Sequence, residues 1–351
     1  MNEFELIEKV FSKIQAEQLP YKDMEAAGIE KAIGDDAAVM AVPTGARLVS
    51  CIDTLVQGRH FGADWDEVEK LAFQIGYKAV AVNVSDIAAM GAAPHSILLA
   101  LALPERLATE AWLTTFAQGL FHACKVFGMT LIGGDTTRSE TLVLSVSAQG
   151  LLAADTPAVY RSGAQIGDKV YVSGTLGDAA YALKHPNHEV GQELAHRLHM
   201  PTPRIELGPA LAKMGATAMI DISDGLYQDL GHICQQSGVS MRLNLEQLPT
   251  SSPLLTVGLA ERLLCQLTGG DDYELAFTLP ADIEPPVNNN SNTQVTCIGE
   301  VIALADNKTD DQNTTVALRP QLFYKEQAVT DAQPHPFTSL PPLTGYQHFA
   351  G

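Results

Sequence analysis

Basic residues are scarce in this chain. Its 351 residues carry 22 Lys and Arg against 41 Asp and Glu, a formal net charge of −19. Nucleic-acid binding rests on basic surface that neutralises phosphates, so this balance excludes a broad nucleic-acid footprint. It also argues against docking on anionic membranes. Cysteine is sparse and unpatterned: five residues, at 51, 124, 234, 265 and 297, with no Cys-x-x-Cys pair. An odd count without that spacing is neither a disulfide frame nor a zinc site, and it predicts reduced thiols in the cytoplasm, used as core fillers. Long apolar runs are missing too. The cleanest, Ile97 to Leu103, stops at Pro104 and is too short to span a bilayer. The first residues, Met1-Asn2-Glu3-Phe4-Glu5, lack the basic-then-apolar pattern of a signal peptide. Also missing are a Gly-x4-Gly-Lys-Ser/Thr phosphate loop, a protein-kinase catalytic loop, a Gly-x-Gly-x-x-Gly after a strand, and any internal repeat.

What is present centres on Lys78 to Pro94. From Val68 to Met90 there is no Pro and one Gly, and Leu71, Ile75, Ala79, Val82 and Asp86 recur at three or four residues. That is helical spacing, and the other faces are apolar as well, so the helix is expected to be buried nearly all round. Yet it carries Asn83, Ser85 and Asp86, with Asn83 and Asp86 on one face. A carboxylate in such an element needs a partner. Lys78, two turns earlier, is one candidate; a metal shared with other carboxylates is the other.

Around this helix the first half reads as α/β. An amphipathic helix is expected over 3–18, strands over Ala32–Met40, Leu48–Ile52, His95–Leu103, Met129–Ile132 and Thr141–Leu151, and a helix over Glu110–Phe127 stopped by Gly128. A boundary near 152–165 splits the chain into 1–152 and 153–351. The second part reads as a strand at Lys169–Ser173, a helix opened by Gly174-Thr175-Leu176-Gly177-Asp178, helices over Pro201–Lys213 and Leu226–Gln236, and strands over Met219–Ile222 and Tyr273–Leu279. Residues 284–294 and 305–314 read as exposed loops, and the aromatic tail as a segment that docks.

Six segments share one form, a short apolar element followed by Asp beside Gly, Ser or Thr. They are Gly34-Asp35-Asp36, Ile52-Asp53-Thr54, Ser85-Asp86, Gly133-Gly134-Asp135-Thr136, Asp221-Ile222-Ser223-Asp224-Gly225 and Gly269-Gly270-Asp271-Asp272. One Gly-Asp pair is an ordinary turn. Six suggest carboxylates at strand ends that line one crevice. Oxygen ligands with retained waters suit Mg²⁺, and several Mg²⁺ suggest a polyphosphate. Glycines beside the acids would let backbone N–H groups approach it. This would be nucleotide chemistry run by acids and metals where other enzymes use a phosphate-loop lysine.

Gly-Asp-Asp-Ala-Ala (34–38), Asp-Thr-Leu-Val-Gln-Gly-Arg-His-Phe (53–61), Lys-Ala-Val-Ala-Val-Asn-Val-Ser-Asp-Ile-Ala-Ala-Met-Gly-Ala (78–92), Gly-Gly-Asp-Thr-Thr (133–137), Arg-Ser-Gly (161–163), Asp-Ile-Ser-Asp-Gly-Leu (221–226), Gly-Gly-Asp-Asp-Tyr-Glu-Leu (269–275) and the terminal Gly-Tyr-Gln-His-Phe resemble the thiamine-monophosphate kinase family, in that family's order and over nearly the whole chain. The resemblance implies a two-domain aminoimidazole-ribonucleotide-synthetase-like α/β fold. Its N-terminal domain would contribute to a dimer β-barrel, and its second domain would be α/β. It implies ATP-dependent phosphorylation of thiamine monophosphate to thiamine diphosphate by direct in-line transfer with several Mg²⁺, in a homodimer. By the same resemblance Asp36, Asp53, Asp86, Asp135 and Asp221 ligate metal, and Asp224 holds a further one. Gly134, Asp135, Arg161 and Ser223 contact ATP; His60, Asp271 and Tyr346 contact the thiamine phosphate.

Direct transfer to an ionised phosphate needs no covalent nucleophile, so no catalytic acid or base is assigned. His122, His196 and His232 sit in helical patterns and read as structural or solvated. The chain departs from the family at Cys51 and Ile52, where hydroxyl residues are usual, at Asp271, often Glu, and at Tyr346, often Trp. Related synthetases and a hydrogenase-maturation enzyme share the superfamily. The absence of any cysteine before Cys51 and the terminal His-Phe-Ala-Gly separate this chain from those that need a reactive cysteine near one end.

Overall fold

A computed structural model describes residues 10–11, 13–14, 24, 26–33, 36–285, 293–304 and 318–329. Most of the helix expected over 3–18, the Gly34–Asp35 pair, most of the 284–294 loop, the 305–314 loop and the tail with Tyr346 lie outside them. The chain divides into two compact units, one of 1–88 with 92–156, the other of 89–91 with 157–351.

In the first unit a short antiparallel pair, β1 (Ile29–Lys31) and β2 (Val39–Met40), precedes β3 (Arg47–Val56). Then come helices α1 (Trp65–Lys70) and α2 (Ala72–Ala89), strand β4 (Ala93–Leu103), helix α3 (Glu110–Phe127), and strands β5 (Thr130–Arg138) and β6 (Val143–Leu152). The four long strands form one sheet in the order β3-β6-β4-β5, with only the β4–β5 pair parallel. The single helix expected from Val68 is two, because the backbone leaves helical geometry at Leu71 (φ −91°, ψ 15°).

α3 forms where the sequence places its caps. The Thr109 hydroxyl accepts the Trp112 N–H at 3.3 Å, and Gly128 closes the helix in the left-handed region at φ 70°. Trp112 and Phe116 stack with centroids 5.3 Å apart, and Leu113, Phe116, Leu120 and Phe121 are fully buried. Each such side chain contributes roughly 1.5–3 kcal/mol of burial. α3 meets α2 backbone to backbone: a Cβ at Gly119 would stand 1.9 Å from the Phe73 carbonyl oxygen, and one at Gly76 2.2 Å from that of Phe116.

One sheet face is packed and the other is open. Along β3, Cys51, Asp53 and Leu55 are partly or fully buried, while Leu48, Ser50, Ile52 and Thr54 are exposed. Ile52 stays 66% exposed, Leu48 52% and, on β4, Leu98 38%. The pleat explains the alternation; what it leaves is an apolar stripe on the open side.

The second unit opens with β7 (Lys169–Ser173) and helices α4 (Asp178–Lys184), α5 (Glu189–His199) and α6 (Leu207–Met214). After them come β8 (Ala218–Asp221), α7 (Leu226–Ser237), β9 (Ser240–Asn244), α8 (Leu259–Thr268), β10 (Leu275–Leu279), β11 (Val295–Ile302), β12 (Gln321–Tyr324) and β13 (Gln327–Ala328). Its sheet runs β13-β12-β9-β11-β7-β10-β8, antiparallel except at β12–β9. Its core joins Val170 and Val172, Ile220, Leu226, Leu230 and Ile233, Met241, Ala276 and Ile298. α6 starts six residues later than expected, at Leu207. A crevice at the carboxyl ends of parallel strands does not exist in this sheet. Because β8 and β10 are antiparallel, with Asp221 opposite Leu275, the loop leaving β8 and the loop entering β10 emerge side by side.

Candidate functional site

Helix α2 is buried as expected, with one opening. From Ile75 to Ala89 every residue is buried except Asp86. Asn83, fully buried, clips the helix to β3. Its side-chain oxygen accepts the Asp53 N–H at 3.1 Å, its amide donates to the Ala79 carbonyl at 3.0 Å, and the Cys51 thiol reaches the Asn83 carbonyl at 3.4 Å. Cys51 thus turns toward the helix. The clip brings the Asp53 segment against the helix face that carries Asp86 one turn on.

Asp53 and Asp135 do not sit at strand ends, where the sequence suggested them, whereas Asp221 does. Asp53 lies inside β3, whose ladder with β6 runs from Arg47↔Leu152 to Val56↔Val143. β5 likewise runs through Gly133-Gly134-Asp135-Thr136-Thr137. Continuous pairing with β6 and β4 holds these residues extended where local turn chemistry favoured a break. Register puts Asp53, Val146, Leu99 and Gly134 in one row, and Thr54, Ser145, Ala100 and Asp135 in the next. Asp135 and Gly134 are exposed, as is Asp36 between β1 and β2. His60 closes a turn: its Nδ1 accepts the Val56 N–H at 3.0 Å, so the neutral ring carries its proton on Nε2.

In the second unit Asp221 ends β8 and is buried. The following loop wraps round a residue that the motif reading passed over. Oδ2 of Asp229, on α7, accepts the N–H groups of Ser223 at 3.1 Å, Asp224 at 3.2 Å and Gly225 at 3.1 Å. Burial pushes the Asp229 carboxyl well above its ordinary range, the charges of Asp221 and Asp224 add to this, and the N–H donors oppose it. Arg161 is exposed, and its carbonyl meets the Ser237 hydroxyl at 3.4 Å at the far end of α7. His232, between these ends, is lowered by burial and by the charge of Arg161, against which Asp224 works.

The loop entering β10 is bonded to this one. The Asp271 N–H donates to the Ser223 carbonyl at 2.9 Å and the Tyr273 N–H to that of Ile222 at 2.8 Å. Approach is close at Gly270, where a Cβ would stand 2.2 Å from the Ser223 oxygen. Asp271 (φ 66°) and Tyr273 (φ 51°) are left-handed, which costs on the order of 1–3 kcal/mol each and delays the start of the expected strand to Leu275.

Two buried acids, which the sequence named within a motif but gave no role of their own, hold this curl. The Asp272 carboxylate accepts the Gly177 N–H at 2.9 and 3.1 Å. Glu274, fully buried, accepts Arg204 Nε at 2.6 Å and Nη2, Arg197 Nη2 at 2.8 Å and the Ser173 hydroxyl. Burial alone raises Glu274, but the hydrogen bonds and charges of Arg204 and Arg197 outweigh it and bring it below its ordinary value; Asp272, pushed up by burial, ends well above its own. Beside this network a cleft of about 340 Å³ is lined by Thr175, Asp178, His196, Arg197, Arg204 and Ser251, among others. One cue was available: Asp, Glu and Arg in apolar surroundings survive only as partners.

Among the described residues no three His, Cys, Asp or Glu side chains gather closely enough to hold a metal by themselves. The donors present are nevertheless hard carboxylate oxygens. Mg²⁺ keeps several waters and takes one or two carboxylates plus substrate phosphates, so sparse acids fit it better than a protein cage would. Among the described residues no helix is long and apolar enough to cross a membrane.

Two family models match the chain: the N-terminal domain of AIR synthase related proteins over residues 34–152 and the C-terminal domain over 165–284. The thiamine-monophosphate kinase of Haemophilus influenzae is 40% identical over 311 residues, 86% of this chain and 89% of that protein. The crystal structure of the thiamine-monophosphate kinase from Stenotrophomonas maltophilia superposes with a TM-score of 0.75 at 37% identity, covering 94% of this chain and 98% of its own. AaThiL complexed with AMPPCP and TMP superposes with a TM-score of 0.70 at 30% identity, over 99% and 97%.

Proposed function

Since the chain belongs to the thiamine-monophosphate kinase family, with the two-domain AIR synthase-like fold, we propose that it transfers the γ-phosphoryl group of ATP to thiamine monophosphate. An oxygen of the acceptor phosphate attacks the γ-phosphorus in line, the bond to the β-phosphate oxygen breaks, and ADP and thiamine diphosphate leave. Such transfer depends on positioning and charge stabilisation. The family match over 86% of the chain carries the reading, and one observation supports it within the second unit. Ser223 and Asp224, read as the nucleotide side, and Asp271, read as the acceptor side, stand on loops joined by the Asp271 N–H to Ser223 carbonyl bond at 2.9 Å.

Arg161, Gly134, Asp135 and Ser223 would hold ATP. His60 would donate from Nε2 to the acceptor, Asp271 would face it, and Tyr346, outside the described residues, would stack on its flat cationic ring. Asp36, Asp53, Asp86, Asp135 and Asp221 would hold Mg²⁺, and Asp224 a further ion. Held by these carboxylates, Mg²⁺ would supply electrostatic stabilisation of the charge that develops on the transferred group. The working form in this reading is a homodimer in the cytoplasm, with the open face carrying Leu48, Ile52 and Leu98 contributing to a shared barrel.

The test is product analysis. Purified protein with ATP and Mg²⁺ should convert thiamine monophosphate to thiamine diphosphate, and should release no ADP with formylglycinamidine ribonucleotide or selenide. Turnover of either of those, with thiamine monophosphate untouched, would overturn the reading.

A further inference from the structure

We propose that Tyr273 is a positioning residue whose phenol sets the direction of the Asp271 carboxylate; this rests on the reading of Asp271 as an acceptor contact. The Tyr273 hydroxyl donates to Asp271 Oδ1 at 3.0 Å, and the ring is 8% exposed. In an extended segment, residues two apart are separated by about 6.6 Å, at ~3.3 Å per residue, and their side chains stand parallel. A short aspartate then cannot meet the far end of a tyrosine. The contact exists because Asp271 and Tyr273 are both left-handed, with φ 66° and 51°, so the chain curls and brings the phenol back.

That backbone is unusual for an aromatic residue and persists only where its surroundings impose it. Here Asp271 N–H is held by Ser223 and Tyr273 N–H by Ile222, Asp272 is held by the Gly177 N–H, and the Glu274 carbonyl accepts the Ile222 N–H at 2.8 Å. A tyrosine that merely filled the core would need neither the curl nor the hydroxyl. With Oδ1 fixed by the phenol, the plane of the carboxylate is fixed, and so is the direction of Oδ2. An Asp side chain is short, so a fixed direction decides what its free oxygen can reach.

The experiment is a four-protein cycle: wild type, Tyr273→Phe, Asp271→Asn and the double variant. Each is measured for thiamine monophosphate and ATP affinity by titration calorimetry with Mg²⁺, for KM and kcat, and for melting temperature. Tyr273→Phe keeps the ring and should melt within about 2 °C of wild type. It should weaken thiamine monophosphate binding and raise its KM about tenfold, which is ~1.4 kcal/mol. Its kcat and ATP affinity should stay within about twofold, and in the Asp271→Asn background the same change should cost less than about twofold. An equal loss in both backgrounds, a parallel loss of ATP affinity, unchanged thiamine monophosphate binding, or a large drop in melting temperature would each overturn the assignment. If the wild type makes no thiamine diphosphate, the functional reading falls and takes this one with it. An active wild type with an indifferent Tyr273→Phe removes this one alone.

Discussion

Asp86 is the one opening in an otherwise buried stretch of helix, and the amide-for-carboxylate change there keeps shape while removing charge. Asp86→Asn should melt within a few degrees of wild type yet lose at least about 100-fold in kcat, the scale of removing one preorganised electrostatic group. Thermal melts beside steady-state assays check this, and a variant with most of its activity would remove the metal role from α2. Glu274 offers a test by pH. Its folded pKa is depressed, chiefly by Arg204 and Arg197 acting against the penalty of burial, from an ordinary value near 4.5. Its contribution is therefore complete above the unfolded value and is lost as pH falls through the lower folded one. Glu274→Gln strands two guanidiniums that are only 14–15% exposed, so it should cost about 3–5 kcal/mol at pH 7. Urea melts from pH 7 down to pH 3 should show the wild-type advantage shrinking below about pH 4.5; a constant gap would mean that folding leaves the Glu274 pKa unshifted, against the pairing with Arg204 and Arg197.

At the scale of elements, the position of α2 depends on α3 as much as on its own sequence. Helix type was legible: the three-four spacing from Ile75 to Asp86 and the Gly128 stop were both in the sequence. The glycines that let the helices touch were not, because Gly76 and Gly119 look like weak helix formers until their neighbours are known. Gly119→Ala should add helix propensity yet destabilise the protein by roughly 1–3 kcal/mol, since the new methyl meets the Phe73 carbonyl. Denaturant titration decides it, and a stabilised variant would show that the helices can separate at little cost. Strand extent was the least legible feature. Gly-Gly-Asp-Thr-Thr has turn chemistry, but pairing along β4 carries it into β5.

For the whole molecule, the open sheet face is the feature a monomer explains least. Ile52 at 66% exposure and Leu48 at 52% lie on a ladder whose other side is packed. The proposed homodimer would cover them. Ile52→Asp should convert a dimer into a monomer in sedimentation velocity at micromolar concentration, with activity falling in step, because a buried unpaired charge would cost several kcal/mol in each copy. A variant that stays dimeric would place the interface elsewhere.

The linear chain was enough to set the chemistry: acidic balance, reduced cysteines, a helix apolar on every face, and acid-bearing motifs in one family's order. These are local or compositional properties, and such properties survive without a fold. Contacts between residues far apart in the chain were decided only by folding. Asn83 ties Asp53, 30 residues away, to α2, and Arg204 neutralises Glu274 across 70 residues. No periodicity encodes such pairs, because a buried polar group is satisfied by whichever partner the tertiary packing brings to it.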